Sequence, residues 1–219
     1  MAHKDTLIKG FDRFYEENYL ESDHMPTLVE SGQKPEFLII SCMDSRTAPE
    51  TIFNLKPGSC FSHRPMGALV QPYDPNPASS NELAAKLAFA IQKGVSHIII
   101  IGHTHCGAAI GLACGNDDPH IKPWLEVGQS ALQRARAKTT SKDTAALARE
   151  TEKQIIMTGL HNLIEYPAVQ DNLGALTISG WLFDMEHGQI LELDPATGAF
   201  QPLTGQEIQK AKKTGASTS

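Results

Sequence analysis

Two uninterrupted apolar runs constrain the fold of this chain more than any other feature of its sequence. They are FLIIS at residues 37–41 and HIIIIG at residues 97–102. Continuous apolar character over so few residues is typical of a strand that is covered on both faces of a parallel sheet. The runs therefore predict two buried strands of an α/β domain.

The rest of the chain alternates helical and extended patterns around these runs. Apolar residues at helical spacing predict an amphipathic N-terminal helix over 4–20. The other predicted elements are strands near 60–63, 174–183 and 189–194, helices near 82–93, 122–138 and 144–165, a loop at 71–80 and a glycine-rich turn at 107–115. This alternation predicts one α/β domain with a mainly parallel central sheet flanked by helices. We expect the domain to span residues 1–205 and a loosely held, partly disordered tail to follow at 206–219.

The composition narrows the classes of partner and compartment. The formal net charge is −6 and no run of eighteen apolar residues occurs, so we expect neither a nucleic-acid nor a membrane partner. The first twenty residues mix charged and apolar side chains, which favours a cytoplasmic location. Four cysteines are too few for a disulfide scaffold and are more typical of metal ligands or packed residues. Cys60 and Cys114 are interpreted as small packed residues.

Metal-binding residue types follow both buried runs. Cys42 comes directly after the first, and His103 after the second, with Cys106 three residues further on. Functional sites of open α/β sheets form beyond the carboxyl ends of the strands. Two thiolates and an imidazole select zinc, and three protein ligands leave the fourth position open for a reactive water. The spacing alone leaves two alternatives open: His105 as a ligand, or core cysteines with an ordinary loop histidine.

A carboxylate and a guanidinium lie close to the first of these cysteines. They are Asp44 and Arg46, in the segment CMDSR. An arginine fork can clamp a carboxylate in a bidentate pair and lower its pKa. Asp44 is then able to accept a hydrogen bond from zinc-bound water or to coordinate the zinc itself. An ordinary loop ion pair of little energetic value is the alternative.

The combined pattern resembles the β-class carbonic anhydrases. Cys-x-Asp-x-Arg is followed some sixty residues later by Gly-His-x-x-Cys-Gly, and the likeness extends over residues 33–195. It includes Asn162-Leu163 with Pro167, and the segment GWLFD at 180–184. The resemblance implies reversible hydration of CO₂ to bicarbonate, with Zn²⁺ as cofactor. It also implies a homodimer or homotetramer whose N-terminal helix packs on a partner subunit.

The resemblance further implies a role for individual residues. Zinc would be held by Cys42, His103 and Cys106, which excludes His105 as a ligand. Asp44 and Arg46 would form the catalytic pair that orients the zinc-bound water. The substrate pocket would be formed by Gln33, Phe61, Met66 and Ala88.

The segment after the second predicted strand departs from the family pattern. The family has Arg-Asn-x-x-Asn where this chain has RPMGA at residues 64–68. Both asparagines are absent, Pro65 lacks a backbone donor, and Met66 is large and flexible. These changes alter the predicted pocket without touching the predicted metal ligands. They motivate an alternative function, hydrolysis of carbonyl sulfide or carbon disulfide. A second alternative is a non-catalytic zinc or bicarbonate-sensing protein.

Overall fold

The computed structural model describes residues 2–76, 82–141 and 143–203, and a six-stranded mixed sheet forms its centre. Its strands run in the order β2-β1-β3-β4-β5-β6. They are β1 (Phe37–Ser41), β2 (Cys60–His63), β3 (His97–His103), β4 (Thr177–Asp184), β5 (Gln189–Leu193) and β6 (Phe200–Pro202). The first four in this order are parallel, and β5 and β6 continue the sheet antiparallel. The prediction of a mainly parallel sheet is confirmed.

Helices flank the sheet. They are α1 (Ala2–Tyr15), α2 (His24–Ser31), α3 (Pro49–Ile52), α4 (Glu82–Gln92), α5 (Gly107–Cys114), α6 (Lys122–Leu125), α7 (Gln129–Lys138), α8 (Thr144–Ile164) and α9 (Pro167–Gln170). A π-helical segment, Glu16–Leu20, continues α1. Among the described residues no helix combines the length and apolar character needed to cross a bilayer.

The two central strands are buried on both faces, as their sequences predict. On one face Ile40 and Ile100 pack in a cluster with Ile156 of α8. On the other face Ile39 and Ile101 pack in a separate cluster. Because successive side chains of a strand point to opposite faces, two-sided burial requires the uninterrupted apolar runs.

Two glycines allow α8 to lie directly on the sheet. A Cβ atom at Gly102 of β3 would lie 2.8 Å from the Ile156 side chain, and one at Gly180 of β4 would lie 2.7 Å from it. Since neither position carries a side chain, the helix axis can approach the strands closely. This contact brings the N-terminal half of α8, including Glu152, to the carboxyl end of β3.

Several predictions about local structure are wrong. The glycine-rich segment 107–115 is not a turn, because Gly107–Cys114 forms α5 and buries Ala109 and Leu112 against a second apolar cluster. Gly115 ends this helix with a φ of 87°. Cys114 is exposed rather than packed, whereas Cys60 is half-buried as expected. Helix α2 and strand β6 carry no recognisable pattern in the sequence and were not predicted.

Most other elements agree with their predictions to within a few residues. The predicted helix over 122–138 is divided by a 3₁₀ turn at Glu126–Gly128. The described part of the predicted loop, residues 71–76, has no helix or strand. Residues 77–80 of that loop and the tail at 206–219 lie outside the described residues, so the domain boundary stays a prediction.

Candidate metal centre

The three predicted ligands converge at the carboxyl ends of two adjacent strands. Cys42 directly follows β1, His103 is the last residue of β3, and Cys106 immediately precedes α5. All three are buried, and their sulfur and nitrogen atoms lie within 4.8 Å of one another. Parallel pairing of β1 with β3 creates this proximity across sixty residues of sequence.

The imidazole of His103 is arranged as a metal ligand. Its Nδ1 lies 2.9 Å from the Thr104 carbonyl oxygen and donates to it, which leaves the lone pair on Nε2. Nε2 is buried and has no hydrogen-bond partner among the described residues. A buried polar atom without a partner is costly, and a metal ion between Nε2 and the two sulfurs removes that cost. The donor set therefore fits zinc.

The two thiols are electrostatically coupled. Hydrogen bonding from Cys106 lowers the pKa of Cys42, and backbone N–H groups of Asp44 and Gly67 lower it further. The same bond to Cys42, together with burial, raises the pKa of Cys106. One thiolate is thus favoured at Cys42 even without a cation, and a cation favours both because metal binding displaces thiol protons.

Gly67 is a site residue that sequence reasoning missed. Its N–H donates to Cys42 Sγ at 3.2 Å. Its φ is 76°, and a Cβ atom there would lie only 2.6 Å from Ala108 Cβ. Glycine is therefore required here both by the backbone conformation and by the close packing against α5. The segment RPMGA lacks the two asparagines of the family pattern, and its Gly67 supplies a backbone donor to Cys42.

Asp44 and Arg46 form the predicted bidentate pair. Asp44 Oδ1 accepts from the backbone N–H of Arg46 at 2.9 Å and from its Nε at 3.0 Å, and Oδ2 accepts from Nη2 at 2.7 Å. These bonds hold the pKa of Asp44 well below its usual range, although partial burial opposes the shift. Asp44 is thus an ionised, fixed carboxylate two residues from Cys42. Coordination of zinc by a rotated Asp44 stays a hypothesis.

Arg64 fixes the loop that carries this pair. Its Nε donates to the Cys42 carbonyl oxygen at 3.0 Å, and its Nη2 donates to the Asp44 carbonyl oxygen at 2.6 Å. The guanidinium therefore holds the backbone on both sides of Met43. A single arginine after a short strand gave no sign of this role in the sequence.

His105 lies outside the cluster of the three predicted ligands. Its backbone is left-handed, with a φ of 59°. Its exposed ring contacts Glu186 and Arg149 rather than the two sulfurs. This placement agrees with the resemblance, which excludes His105 as a ligand.

Glu152 is a further residue that the sequence did not single out. It lies on α8 with only 2% of its surface exposed, and its Oε1 accepts the backbone N–H of Cys106 at 3.0 Å. Burial raises its pKa, although the Cys106 N–H and Arg149 oppose the shift. Within the polar segment RETEKQ, the sequence predicts that an acidic residue faces solvent. Only the packing of α8 shows that Glu152 is buried beside Cys106.

Of the residues predicted for the substrate pocket, Met66 lies at an open cavity. Met66 lines an open cavity of about 500 Å³ together with Met43. Gln33 is exposed before β1, Phe61 packs against the Phe89 ring, and Ala88 is half-buried on α4. These three do not line the cavity, and their roles stay predictions.

A second group of potential ligands lies in the turn between β4 and β5. It comprises Asp184, Glu186 and His187. Asp184 already accepts hydrogen bonds from the backbone N–H groups of the other two and from the His187 ring. These bonds account for the group as a turn motif.

The sequence and the fold of this chain resemble those of known proteins. Residues 37–190 match the family model described as carbonic anhydrase. The chain belongs to the β-class carbonic anhydrase family. It is 32% identical over 203 residues to a carbonic anhydrase of Pseudomonas aeruginosa, with 90% of both chains covered. It is equally identical to carbonic anhydrase 1 of Escherichia coli, over 90% of this chain and 91% of that protein.

Solved structures of β-carbonic anhydrases have the same fold as this chain. The β-carbonic anhydrase CcaA superposes with a TM-score of 0.80 at 29% identity, covering 94% of each chain. The enzyme CafA of Aspergillus fumigatus, described as a β-carbonic anhydrase, gives a TM-score of 0.75 at 27% identity, covering 100% of this chain and 99% of that one. The α/β fold is thus that of the family along nearly the whole chain.

Proposed function

We propose that this protein is a zinc-dependent carbonic anhydrase that interconverts CO₂ and bicarbonate. The observation that carries the proposal is the convergence of two buried thiols with an unpartnered imidazole nitrogen beside a clamped carboxylate. A zinc ion held by Cys42, His103 and Cys106 would act as a Lewis acid that lowers the pKa of a coordinated water.

Asp44 is the residue proposed to handle the reacting water. Because Arg46 holds three hydrogen bonds to it, the carboxylate stays ionised and cannot rotate freely. An ionised carboxylate accepts a hydrogen bond from the attacking water and thereby directs the oxygen lone pair towards the carbon of CO₂. Water and CO₂ give bicarbonate and one proton, and the reverse step consumes that proton.

Arg46 has a second contact that supports this role. Besides Asp44, its Nη2 donates to the His105 carbonyl oxygen at 3.3 Å. The guanidinium is thus held between the loop after β1 and the loop after β3. Asp44 is therefore fixed relative to both loops that carry the proposed zinc ligands.

The assembly is part of the proposal. We infer a homodimer or homotetramer in which α1 packs on a partner subunit. Leu7 and Phe11 on this helix are 76% and 62% exposed, an apolar face that a second copy of the chain would cover. A cytoplasmic location stays a prediction.

Stopped-flow measurement with CO₂, carbonyl sulfide and carbon disulfide on the zinc-loaded protein tests the choice of substrate. We expect rapid CO₂ hydration and little turnover of the two sulfur compounds, since the relatives named above are carbonic anhydrases. Strong carbonyl sulfide hydrolysis with negligible CO₂ hydration would instead support the alternative motivated by Pro65 and Met66. Zinc-loaded protein without any of these activities would support the sensing alternative.

A further inference from the structure

A buried carboxylate from a distant helix contacts the backbone of a proposed zinc ligand. Glu152 Oε1 lies 3.0 Å from the Cys106 backbone nitrogen and accepts its N–H. The Glu152 side chain is only 1% exposed, so water does not compete for this bond. Helix α8, which packs closely on Gly102, thus places this carboxylate at the proposed metal cluster.

The peptide group that joins His105 to Cys106 is hydrogen-bonded at both its carbonyl oxygen and its N–H. Its carbonyl oxygen accepts from Arg46 Nη2 at 3.3 Å, and its N–H donates to Glu152. The backbone of His105 has a φ of 59°, in the left-handed region that residues other than glycine seldom adopt. Such a conformation persists only where the surroundings impose it. The two bonds therefore hold the turn that directs the Cys106 sulfur towards His103.

The charge of Glu152 is compensated in the protein interior. Arg149 Nη1 lies 3.1 Å from both carboxylate oxygens, and its Nη2 donates to Glu186 at 2.9 Å. A buried carboxylate without a partner would protonate or destabilise the fold. Arg149 lets Glu152 remain a strong acceptor and links it to the turn between β4 and β5.

We propose that Glu152 is a positioning residue of the zinc site, which holds the Cys106 peptide so that the thiolate meets the metal. The inference rests on the proposed function only in that it assumes zinc at this cluster. Its ordinary alternative is that Glu152 merely anchors α8 to the loop. The two differ in whether the metal environment responds when the acceptor is removed.

Two variants of matched length separate these roles. Glu152→Met removes the acceptor while filling the space, and Glu152→Gln keeps a carbonyl acceptor without the charge. Glu150→Met on the same helix serves as the control, because Glu150 bonds to Gln154 instead. Zinc affinity is measured by competition with a chromophoric chelator, and Co²⁺-substituted protein reports the thiolate-to-metal absorption band.

We expect Glu152→Met to weaken zinc binding by about 10- to 100-fold and to shift or weaken the cobalt–thiolate band. Glu152→Gln should recover most of the affinity, and Glu150→Met should behave as wild type. If Glu152→Met is not obtained as folded protein, Glu152→Ala is compared with Glu152→Gln in the same assays.

Wild-type zinc affinity and an unchanged cobalt spectrum in Glu152→Met would overturn the proposal. So would a Glu152→Gln variant as weak as Glu152→Met, because the hydrogen bond would then not be the cause. Neither readout depends on turnover. Wild-type protein that binds zinc without hydrating CO₂ would refute the proposed function and leave this test intact.

Discussion

At the residue scale, the proposed chemistry depends on side chains that hydrogen bonds hold in one conformation. Asp44 is held by three bonds from Arg46, and the His103 ring is fixed through Nδ1. In His103 the bond at Nδ1 leaves Nε2 for the metal, and in Asp44 the bonds from Arg46 hold both carboxylate oxygens in place. Fixed groups act without reorganising during the reaction, which is why such clamps favour catalysis.

Asp44→Asn tests the role assigned to this carboxylate. Asparagine keeps an oxygen acceptor for the Arg46 N–H but lacks the charge that receives the hydrogen bond from water. We expect CO₂ hydration to fall by about 10²- to 10⁴-fold while zinc content stays unchanged. Stopped-flow rates on protein of measured zinc content check this. Hydration at the wild-type rate would show that Asp44 does not handle the reacting water.

Gly67→Ala tests the tight turn beside Cys42. The substitution forces a left-handed alanine and places its Cβ 2.6 Å from Ala108. We expect a loss of about 1–3 kcal/mol in the free energy of unfolding, measured by urea denaturation, together with weaker zinc binding. Gly174→Ala is the matched control, because no atom lies within 4 Å of the added carbon and the φ there is not positive. Equal stability of the two variants would contradict the account of Gly67.

His63 provides a prediction about pH. Burial, and then the charge of Lys86, lower the pKa of His63 below its ordinary value. Below about pH 6.5 the unfolded chain therefore binds a proton that the folded chain does not. The free energy of unfolding should fall as the pH drops below about 6.5, and His63→Gln should reduce this slope. Urea denaturation at several pH values checks it, and identical slopes would refute the assignment.

The proposed metal ligands and the Asp44–Arg46 pair could be predicted from the sequence, whereas the residues that support them could not. Cys42 and His103 directly follow apolar strands, and Arg46 is two residues from Asp44. Arg64, Gly67 and Glu152 act through contacts between distant segments, and none has a local pattern. Only the packed fold brings Glu152 to Cys106, 46 residues away.

At the element scale, the site depends on how closely α8 lies on the sheet. Gly102 and Gly180 leave room for Ile156 between β3 and β4. The strands themselves were predictable because two-sided burial leaves a continuous apolar run. Helix α5 was mistaken for a turn because its glycines mask a buried face of Ala109 and Leu112. Gly107 and Gly111 lie within this helix and Gly115 ends it, so its glycines resemble those of a turn in the sequence.

Gly102→Ala tests the contact between α8 and the sheet. The added carbon would lie 2.8 Å from Ile156, so the helix must move or the side chain must repack. We expect a loss of about 1–3 kcal/mol in the free energy of unfolding. Combining it with Ile156→Ala should cost less than the sum of the two single changes, because the clash disappears. Additive losses in a urea-denaturation cycle would contradict this contact.

At the scale of the whole molecule, the exposed apolar face of α1 is the surface that we propose to contact a partner subunit. Leu7 and Phe11 are more than half exposed, and the Phe11 ring packs against the rings of Phe14 and Tyr15 on the same helix. A second copy of the chain would bury this face. The overall fold was predictable from the strand and helix pattern, but assembly leaves no periodic signal beyond the amphipathic helix itself.

Replacing Leu7 and Phe11 together by glutamate tests the assembly. Charges on this face should shift the protein from an oligomer to the monomer, because burying them at an interface is unfavourable. Light scattering coupled to size-exclusion chromatography measures the mass. A double substitution of exposed residues outside this face, Lys56→Glu with Glu165→Gln, is the control. Wild-type protein that is monomeric at micromolar concentration would contradict the proposed assembly.

The central claim is that one zinc ion at Cys42, His103 and Cys106 supports CO₂ hydration. Titrating metal-depleted protein with zinc while following CO₂ hydration by stopped flow tests it most directly. The rate should rise linearly and level off at about one zinc per chain, and Cys106→Ser should remove both tight zinc binding and the activity. A hydration rate that is independent of zinc, or fully loaded protein that hydrates no CO₂, would contradict the account.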